Sequence, residues 1–572
     1  LQDQSIAYGR GQSRFHENKR AVTEKYMGPI VKTVMTRCIQ CTRCVRFTEE
    51  VAGVPDIGAI YRGENMQITS YLEQAVKSEL SGNVVDLCPV GALTARPYAF
   101  EARPWELKKT LGIDVMDAVG TNIRIDSRGR QVLRVVPRIN DDVNEEWASD
   151  KTRHAVDGLV RKRLDRPFLR RDGKLVPASW DEAFAAIAQA AQAAQGAGGA
   201  VAAIAGDQLD CETMFAARAL VHALGGNMLE GRQGGLDYDV SSLGAVNFNS
   251  GIAGIETADA ILLVGTNLRW EAPLINTRIR KAIKKGAKVW SIGPDVDLTY
   301  RTISLGNDAA ALAALPQDLI DAFRSAQRPA LIMGGGALAV PGLQGAALAA
   351  VETLGLVRDA ASTGTGQGWN GFNVVHMAAA RMGGLMLGFA MPGGVRAMAQ
   401  AEPKLLFLMG ADDVPIDLFA ASFKVYVGHH GDRAAHAADV ILPGAAYTEK
   451  AGTYVNTEGR VQRGDKAVFA PGDAREDWTI LRALSDVLGT PLPFDSFGQL
   501  RAAMYAAVPA LAQEGLADYG WAAPALPANP SGPINLPMKD FYLTNAICRA
   551  SPTMQRCSAE ILHGAQFAEA AE

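Results

Sequence analysis

The chain has 572 residues, of which 48% are hydrophobic, 21% charged and 7% aromatic. That is the composition of a globular protein of two to four domains, and it excludes a single small domain, a disordered chain and a fibre. Its 57 Lys and Arg against 61 Asp and Glu leave a net charge of −4, without the basic excess of a dedicated nucleic-acid binder, so nucleic acid is not an expected partner.

In chain order, the opening Leu1 and the polar run Gln2–Ser5 show no signal peptide, as a fragment or processed product would. Residues 1–106 hold four of the seven cysteines, Cys38 to Cys88, and the first 50 residues carry nine Lys and Arg against five Asp and Glu. Cysteines so unevenly placed do not make a secreted disulfide framework and point to a reducing compartment. Residues 107–163 change to short alternating segments. Ile123–Ile125 and Val132–Val135 flank Asp126–Gly129, which predicts a β-hairpin in a small, partly β module.

Residues 164–490 alternate apolar runs with amphipathic helices. Ala200–Ala205, Ala260–Gly265, Lys288–Gly293, Ala330–Met333, Leu405–Met409, Val425–Gly428 and Val440–Leu442 read as buried strands, so the expected fold class is a parallel α/β core preceded by the cysteine domain and the β-containing module. Ser179 with Glu182 forms a capping box. Between Pro273 and Gly286, Ile275, Ile279 and Ile283 share a helix face. The uncharged stretch Pro329–Val351 is broken by Gly334–Gly336, Pro341 and Gly342 and reads as a strand, a turn and a helix, not a membrane span. Residues 491–572 form a tail in which Pro524, Pro527, Pro530, Pro533 and Pro537 disfavour regular structure before a short terminal helix.

The chemistry is concentrated in thiols. Cys38, Cys41 and Cys44 lie three residues apart, and Cys88-Pro89 follows after 43 further residues. The C-x2-C-x2-C run with a remote Cys-Pro is a 4Fe-4S pattern, whereas zinc sites usually pair two C-x2-C knuckles; zinc and unligated cysteines are the alternatives. There is no second triplet, so Cys88 is expected to close the same cube, and one 4Fe-4S cluster is expected in this chain. Lys32, Arg37, Arg43 and Arg46 beside the ligands would favour the reduced cluster, or else are solvated surface charges. Gly366–Gly371 fits G-x-G-x-x-G but follows no strand, and is read as a loop before a helix. His429, His430 and His436 are read as loop histidines, and Cys211, Cys548 and Cys557 as small buried apolar side chains.

The segments Val31–Phe47, Ser78–Glu106, Asp114–Asp126, Gly371–Gly384, Ala438–Gln462 and Asp540–Ser551 resemble the large iron-sulfur subunit of respiratory NADH:quinone oxidoreductase (complex I) of the proteobacterial or mitochondrial type. The resemblance implies an electron-transfer subunit, not catalytic alone, in which Cys38, Cys41, Cys44 and Cys88 hold a 4Fe-4S cluster between flavin and quinone. It further implies other complex I subunits as partners, among them the NADH/FMN-binding subunit and peripheral-arm iron-sulfur subunits. The implied location is peripheral, on the cytoplasmic side of the bacterial inner membrane or the matrix side of the mitochondrial one. Longer family members begin with a 2Fe-2S domain and a His-plus-Cys segment holding a second 4Fe-4S cluster, whose end would correspond to the start of this chain.

Residues 107–163 resemble the small iron-sulfur module of molybdopterin oxidoreductases, and Ala258–Asn267 with Glu449–Gln462 resemble their α/β domains. At the four cysteine positions of that module this chain has Asp114, Asp117, Thr121 and Ser149. Oxygen ligands do not hold an iron-sulfur cube, so that cluster is expected to be missing. No cysteine lies between Cys211 and Cys548, so no molybdenum is expected either. The rival readings are a self-contained molybdopterin oxidoreductase such as a formate dehydrogenase, distinguished by molybdenum or tungsten, and a zinc-binding assembly module.

Overall fold

The computed structural model describes residues 2–196, 200–361, 368–517 and 519–565. The cysteine-bearing part has little regular structure. Val31–Thr33 pairs antiparallel with Leu93–Ala95, Ile57–Ile60 pairs with Gln67–Ser70, and two short helices, Arg43–Arg46 and Asn83–Leu87, carry or precede ligand-candidate cysteines. So small a set of elements cannot enclose a large core alone. Met35, Phe47, Ile68, Val84 and Leu93 are buried in one apolar cluster together with Ile123 and Val135 of the next module and Ile275 and Ile279 of the α/β region.

The next module is an antiparallel sheet of Lys108–Ile113, Asn122–Arg128 and Gln131–Pro137, followed by the helix Asp150–His154. The predicted hairpin is present, with its strands running further through Asp126–Arg128 than the pattern suggested and a register shift at Asp126/Ser127.

Seven predicted runs are seven strands, divided between two sheets. The larger has the order Met228–Glu230, Val201–Ala205, Leu405–Met409, Phe423–Gly428 and Val440–Pro443, all parallel, extended by the antiparallel hairpin Phe168–Arg171/Lys174–Pro177. The smaller is parallel throughout: Ile303–Ser304, Lys288–Ile292, Ala260–Val264, Pro329–Met333 and Phe372–Val374. The central strands are buried at every residue, as parallel strands covered by helices on both faces must be. The capping box is made: Glu182 N–H donates to Ser179 Oγ (3.2 Å) and Ser179 N–H to the Glu182 carboxylate (2.9 Å). The helix Pro273–Lys284 buries Ile275 and Ile279 and half-buries Ile283.

Two expectations need correction. Trp369–Asn370 and Phe372–Val374 are strands, so the Gly366–Gly371 stretch does not lead into a helix; Gly366 and Gln367 themselves lie outside the described residues. His436 sits in the helix Arg433–Ala437, not in a loop; His429 and His430 do lie in irregular structure immediately after a strand, His429 half-buried and His430 buried with its Nε2 2.8 Å from the Gly158 carbonyl. Cys211, Cys548 and Cys557 are buried, as read. Residues 519–537 carry no helix or strand, and Ala546–Ala550 and Pro552–Cys557 are short helices. Among the described residues no helix is long and apolar enough to cross a membrane.

Candidate metal centre

The loop from Cys38 to Cys44 is shaped by two left-handed residues, Gln40 (φ 51°) and Thr42 (φ 61°), which turn the chain back on itself so that thiols three residues apart can face one point. Gln40 N–H points at Cys38 Sγ (3.4 Å), and Cys44 lies in the first turn of the Arg43–Arg46 helix. Cys88 arrives from elsewhere, as the extended residue ending the helix Asn83–Leu87, its N–H bonded to the Val84 carbonyl (3.1 Å). Arg37 joins the two loops: a Cβ on Gly91, whose φ of +66° favours glycine, would meet the Arg37 guanidinium at 3.8 Å.

The four thiols are near enough to act on one another. Burial first, with the Cys38, Cys41 and Cys88 thiols adding to it, pushes the Cys44 thiol up to about 11. Yet among the described residues no three His, Cys, Asp or Glu side chains close around a point as a single ion requires. The four thiols are soft donors, three half-buried and Cys41 exposed, a set whose chemistry suits an iron-sulfur cube or zinc. The positive charges are unequal in place: Arg37, Arg43 and Arg46 are exposed, Arg46 pairs with Glu50 (3.0 Å), and Lys32 sits 5.4 Å over the Phe100 ring.

The four oxygen-bearing positions of the second module also come together, and all are buried. Asp114 N–H donates to the Thr121 carbonyl (2.9 Å), Thr152 Oγ1 donates to Asp114 (2.9 Å), and Ser149 and Thr152 hydroxyls lie 2.7 Å apart. Burial first, then the Asp117 carboxylate, pushes Asp114 up to about 8, and burial raises Asp117. Lys151, fully buried beside them, lies 4.6 Å over the Phe541 ring, and its Nζ has no hydrogen-bond partner. Sequence reading singled out the first four but missed Lys151, whose place beside them is a product of the fold.

A cavity of about 550 Å³ lies beyond the carboxyl ends of strands from both parallel sheets, where ligands of open α/β sheets bind. Asp207, Asp413, Gly335 and His376 line it from those strand ends, and the C-terminal segment around Lys539–Arg549 forms another wall. Arg549 holds that wall in place through Asp432 (2.6 Å) and Asp413 (3.3 Å). Among the described residues no thiol lines the cavity; Cys548 Sγ is instead buried against Met116 Sδ (3.8 Å). This lining does not fit a molybdopterin whose metal needs a protein thiolate.

Family models match in the same order. Residues 28–94 match the ferredoxin-like domain of NADH-quinone oxidoreductase subunit 3, and residues 107–157 the 4Fe-4S domain of the NADH-ubiquinone oxidoreductase NDSU1/NuoG-like family. Residues 163–487 match molybdopterin oxidoreductase, and residues 518–557 the C-terminal domain of the NuoG-type chain of NADH-ubiquinone oxidoreductase. The 78 kDa subunit of mitochondrial NADH-ubiquinone oxidoreductase from Neurospora crassa is 48% identical over 98% of this chain and 77% of its own length. The corresponding Candida albicans subunit is 45% identical over 97% and 79%. The NuoG-type subunit of the NADH-quinone oxidoreductase of Rickettsia felis is 43% identical over 97% and 82%.

Proposed function

This chain belongs to the family of the NuoG-type subunit of NADH-quinone oxidoreductase and its mitochondrial 78 kDa counterpart, and on that premise we propose that it relays electrons within that complex through a 4Fe-4S cluster held by Cys38, Cys41, Cys44 and Cys88. It is a subunit of the oxidoreductase and works with the other subunits of the complex. The observation that carries the site assignment is the convergence of four thiols inside the segment that matches a ferredoxin-like domain.

A 4Fe-4S cluster takes up and releases single electrons. The chain's own residues set the conditions for that exchange. Cys38, Cys41, Cys44 and Cys88 would hold the cluster as thiolates, Cys44 giving up its proton against the burial and mutual repulsion that raise it because the bound iron would be positive. The Gln40 N–H directed at Cys38 Sγ withdraws charge from that sulfur, and Arg37, next to Cys38 in sequence, brings a cation to the ligand loop. Both favour the reduced state. No general base is needed.

Finer assignments belong to the same proposal. The chain holds this one cluster; the 2Fe-2S and second 4Fe-4S clusters belong to the longer family protein. Molybdenum is not a cofactor, a reading supported by the thiol-free lining of the interlobe cavity. Electrons reach the chain from the NADH/FMN-binding subunit and leave through peripheral-arm iron-sulfur subunits towards quinone. The complex arm that contains it faces the bacterial cytoplasm or the mitochondrial matrix.

Anaerobic metal analysis with electron paramagnetic resonance of the dithionite-reduced protein tests the proposal. About four irons per chain and one reduced 4Fe-4S signal are expected. Zinc without iron would make the thiol site an assembly element, and stoichiometric molybdenum or tungsten would make the chain an independent molybdopterin enzyme.

A further inference from the structure

The three ligands of the Cys38–Cys44 loop are tied together by sequence, whereas Cys88 is placed by residues of two other modules. The segment before it, Ser81–Val84, is buried. Asp150, at the start of the Asp150–His154 helix, accepts from Ser81 Oγ (2.7 Å) and from Gly82 N–H (2.7 Å). Its own N–H donates to the Glu79 carbonyl (2.8 Å). Asn83, wholly buried, donates to the Ala148 carbonyl (2.9 Å) and accepts from Ala148 N–H (3.1 Å) and Arg153 Nη2 (2.7 Å). Arg153 also reaches Asp86 (2.7 Å) on the helix that ends at Cys88. Gly82 has no room for a side chain, because a Cβ there would lie 2.8 Å from His154 Nε2 and 3.1 Å from Asp150 Oδ1.

On its other side the same helix is moored in the oxygen-bearing group. Ser149 caps it through Thr152 N–H (3.3 Å), and Thr152 Oγ1 donates to Asp114 (2.9 Å). The α/β region supplies a second mooring. Glu79 accepts from Arg269 Nε (2.8 Å) and Trp270 Nε1 (3.0 Å), and Arg269 also donates to the Lys77 carbonyl (2.9 Å).

We propose that Asp150, Asn83 and Arg153 are positioning residues for the Cys88 ligand, and that Asp114 and Ser149, at positions spaced like cluster ligands, anchor through Thr152 the helix that carries Asp150 and Arg153. The proposal rests on the assignment of Cys88 as a ligand. It gives the second module a role towards the neighbouring cluster: partners outside the ligand set fix ligand orientation, and their loss typically weakens metal retention by about 10–100-fold.

The test uses the assembled complex carrying Asp150→Ala, Asp150→Asn or Ser81→Ala, with Leu481→Ala, buried in the large sheet's core, as a control for general destabilisation. The readouts are the reduction potential and paramagnetic resonance spectrum of the cluster and the rate at which a chelator removes its iron. Asp150→Ala is expected to speed iron release about tenfold or more and to shift spectrum and potential. Asp150→Asn, which keeps one oxygen for Gly82 N–H, has a smaller effect, and Leu481→Ala none. Ser81→Ala, which removes one hydroxyl, moves the same readouts in the same direction even if Asp150→Ala does not fold. Variants that lower thermal stability yet leave all three readouts unchanged overturn the proposal. Cys88→Ala separates the two layers: if it keeps iron and signal, the ligand assignment fails, and if it loses both while the Asp150 and Ser81 variants change nothing, only the positioning role fails.

Discussion

Replacing Asp114 by Asn changes how the second module responds to pH. The Asp114 carboxyl is fully buried, and burial with the neighbouring Asp117 carboxylate moves it from 3.8 up to about 8. Between those values the unfolded chain has released a proton that the folded chain still holds, so stability falls as pH rises through the window and is greatest below it. One such group changes the free energy of opening by at most about 1.4 kcal/mol per pH unit, or about 2–3 kcal/mol between about pH 5 and about pH 7. Asn keeps the Oδ1 acceptor for Met116 N–H (3.2 Å) and carries no charge at any pH. The Thr152 hydroxyl can turn to accept from its amide, because the Ser149–Thr152 contact allows either donor direction. Asp117 titrates in both proteins, and its repulsion with Asp114 is relieved in the variant, which adds to the difference in the same pH window. Hydrogen exchange of the Asn122–Arg128 strand, corrected for the intrinsic pH dependence of exchange, reads the local opening free energy without requiring the whole chain to unfold reversibly. The stability of Asp114→Asn relative to the parent should grow by about 1–1.4 kcal/mol per pH unit across that range. A difference that is flat with pH, as expected if Lys151 kept both carboxylates ionised throughout, refutes the reasoning.

Cys41→Ala should abolish the cluster although Cys41 is the most exposed of the four thiols; iron content falls from about four per chain to near zero, and near-normal iron would sink the ligand assignment. Lys450→Met removes the cation that lies between Asp210 (2.6 Å) and Asp477 and leaves two buried carboxylates facing each other. The expected cost is about 3–5 kcal/mol, seen as a lower thermal midpoint for the α/β region; an unchanged midpoint counts against it. Gly158→Ala would put a Cβ 2.2 Å from the Ile547 carbonyl oxygen, so the Ala546–Ala550 helix must shift, at a cost of about 1–3 kcal/mol. Faster exchange and proteolysis confined to residues 545–557 are expected, and unaltered protection there would show that the C-terminal segment is not held at this contact.

The parts legible in the sequence were those governed by local rules. Val201–Ala205, Ala260–Val264 and Leu405–Met409 announce themselves because parallel strands buried on both faces must be apolar at every position, and Ser179 with Glu182 reads as a cap because both bonds close within four residues. The division into two sheets is not local. The chain leaves the larger sheet after Met228–Glu230, builds the whole smaller sheet, and returns at Leu405–Met409, an excursion that no periodicity records. His430, in the loop just after the Phe423–Gly428 strand, is buried because that strand ends against Gly158 of the second module. At the site, C-x2-C-x2-C with Cys88-Pro89 was readable from the spacing of thiols. Asn83, Asp150 and Arg153 were not, since Asn83 meets Ala148 across 65 residues and Glu79 meets Arg269 across 190.

That distribution bears on why an electron carrier is joined to so large an α/β region. The cysteine-bearing part has two two-stranded ribbons and helices of at most seven residues, and isolated elements of that size are marginal in water. A redox centre with a defined potential needs ligands that do not wander. Here the rigidity comes from shared burial, in which Phe47 and Val84 pack in one cluster with Ile275 and Ile279, and from polar clamps such as Glu79 to Arg269 and Trp270. The helix Pro273–Lys284 reaches the same region directly, with Arg280 donating to the Glu49 carbonyl (3.0 Å) and Lys284 to that of Glu50 (2.9 Å), just beyond the Arg43–Arg46 helix. An α/β region whose cavity lacks a thiol can therefore still serve electron transfer, as the stiff body against which a short cysteine loop and a distant fourth cysteine are held in register.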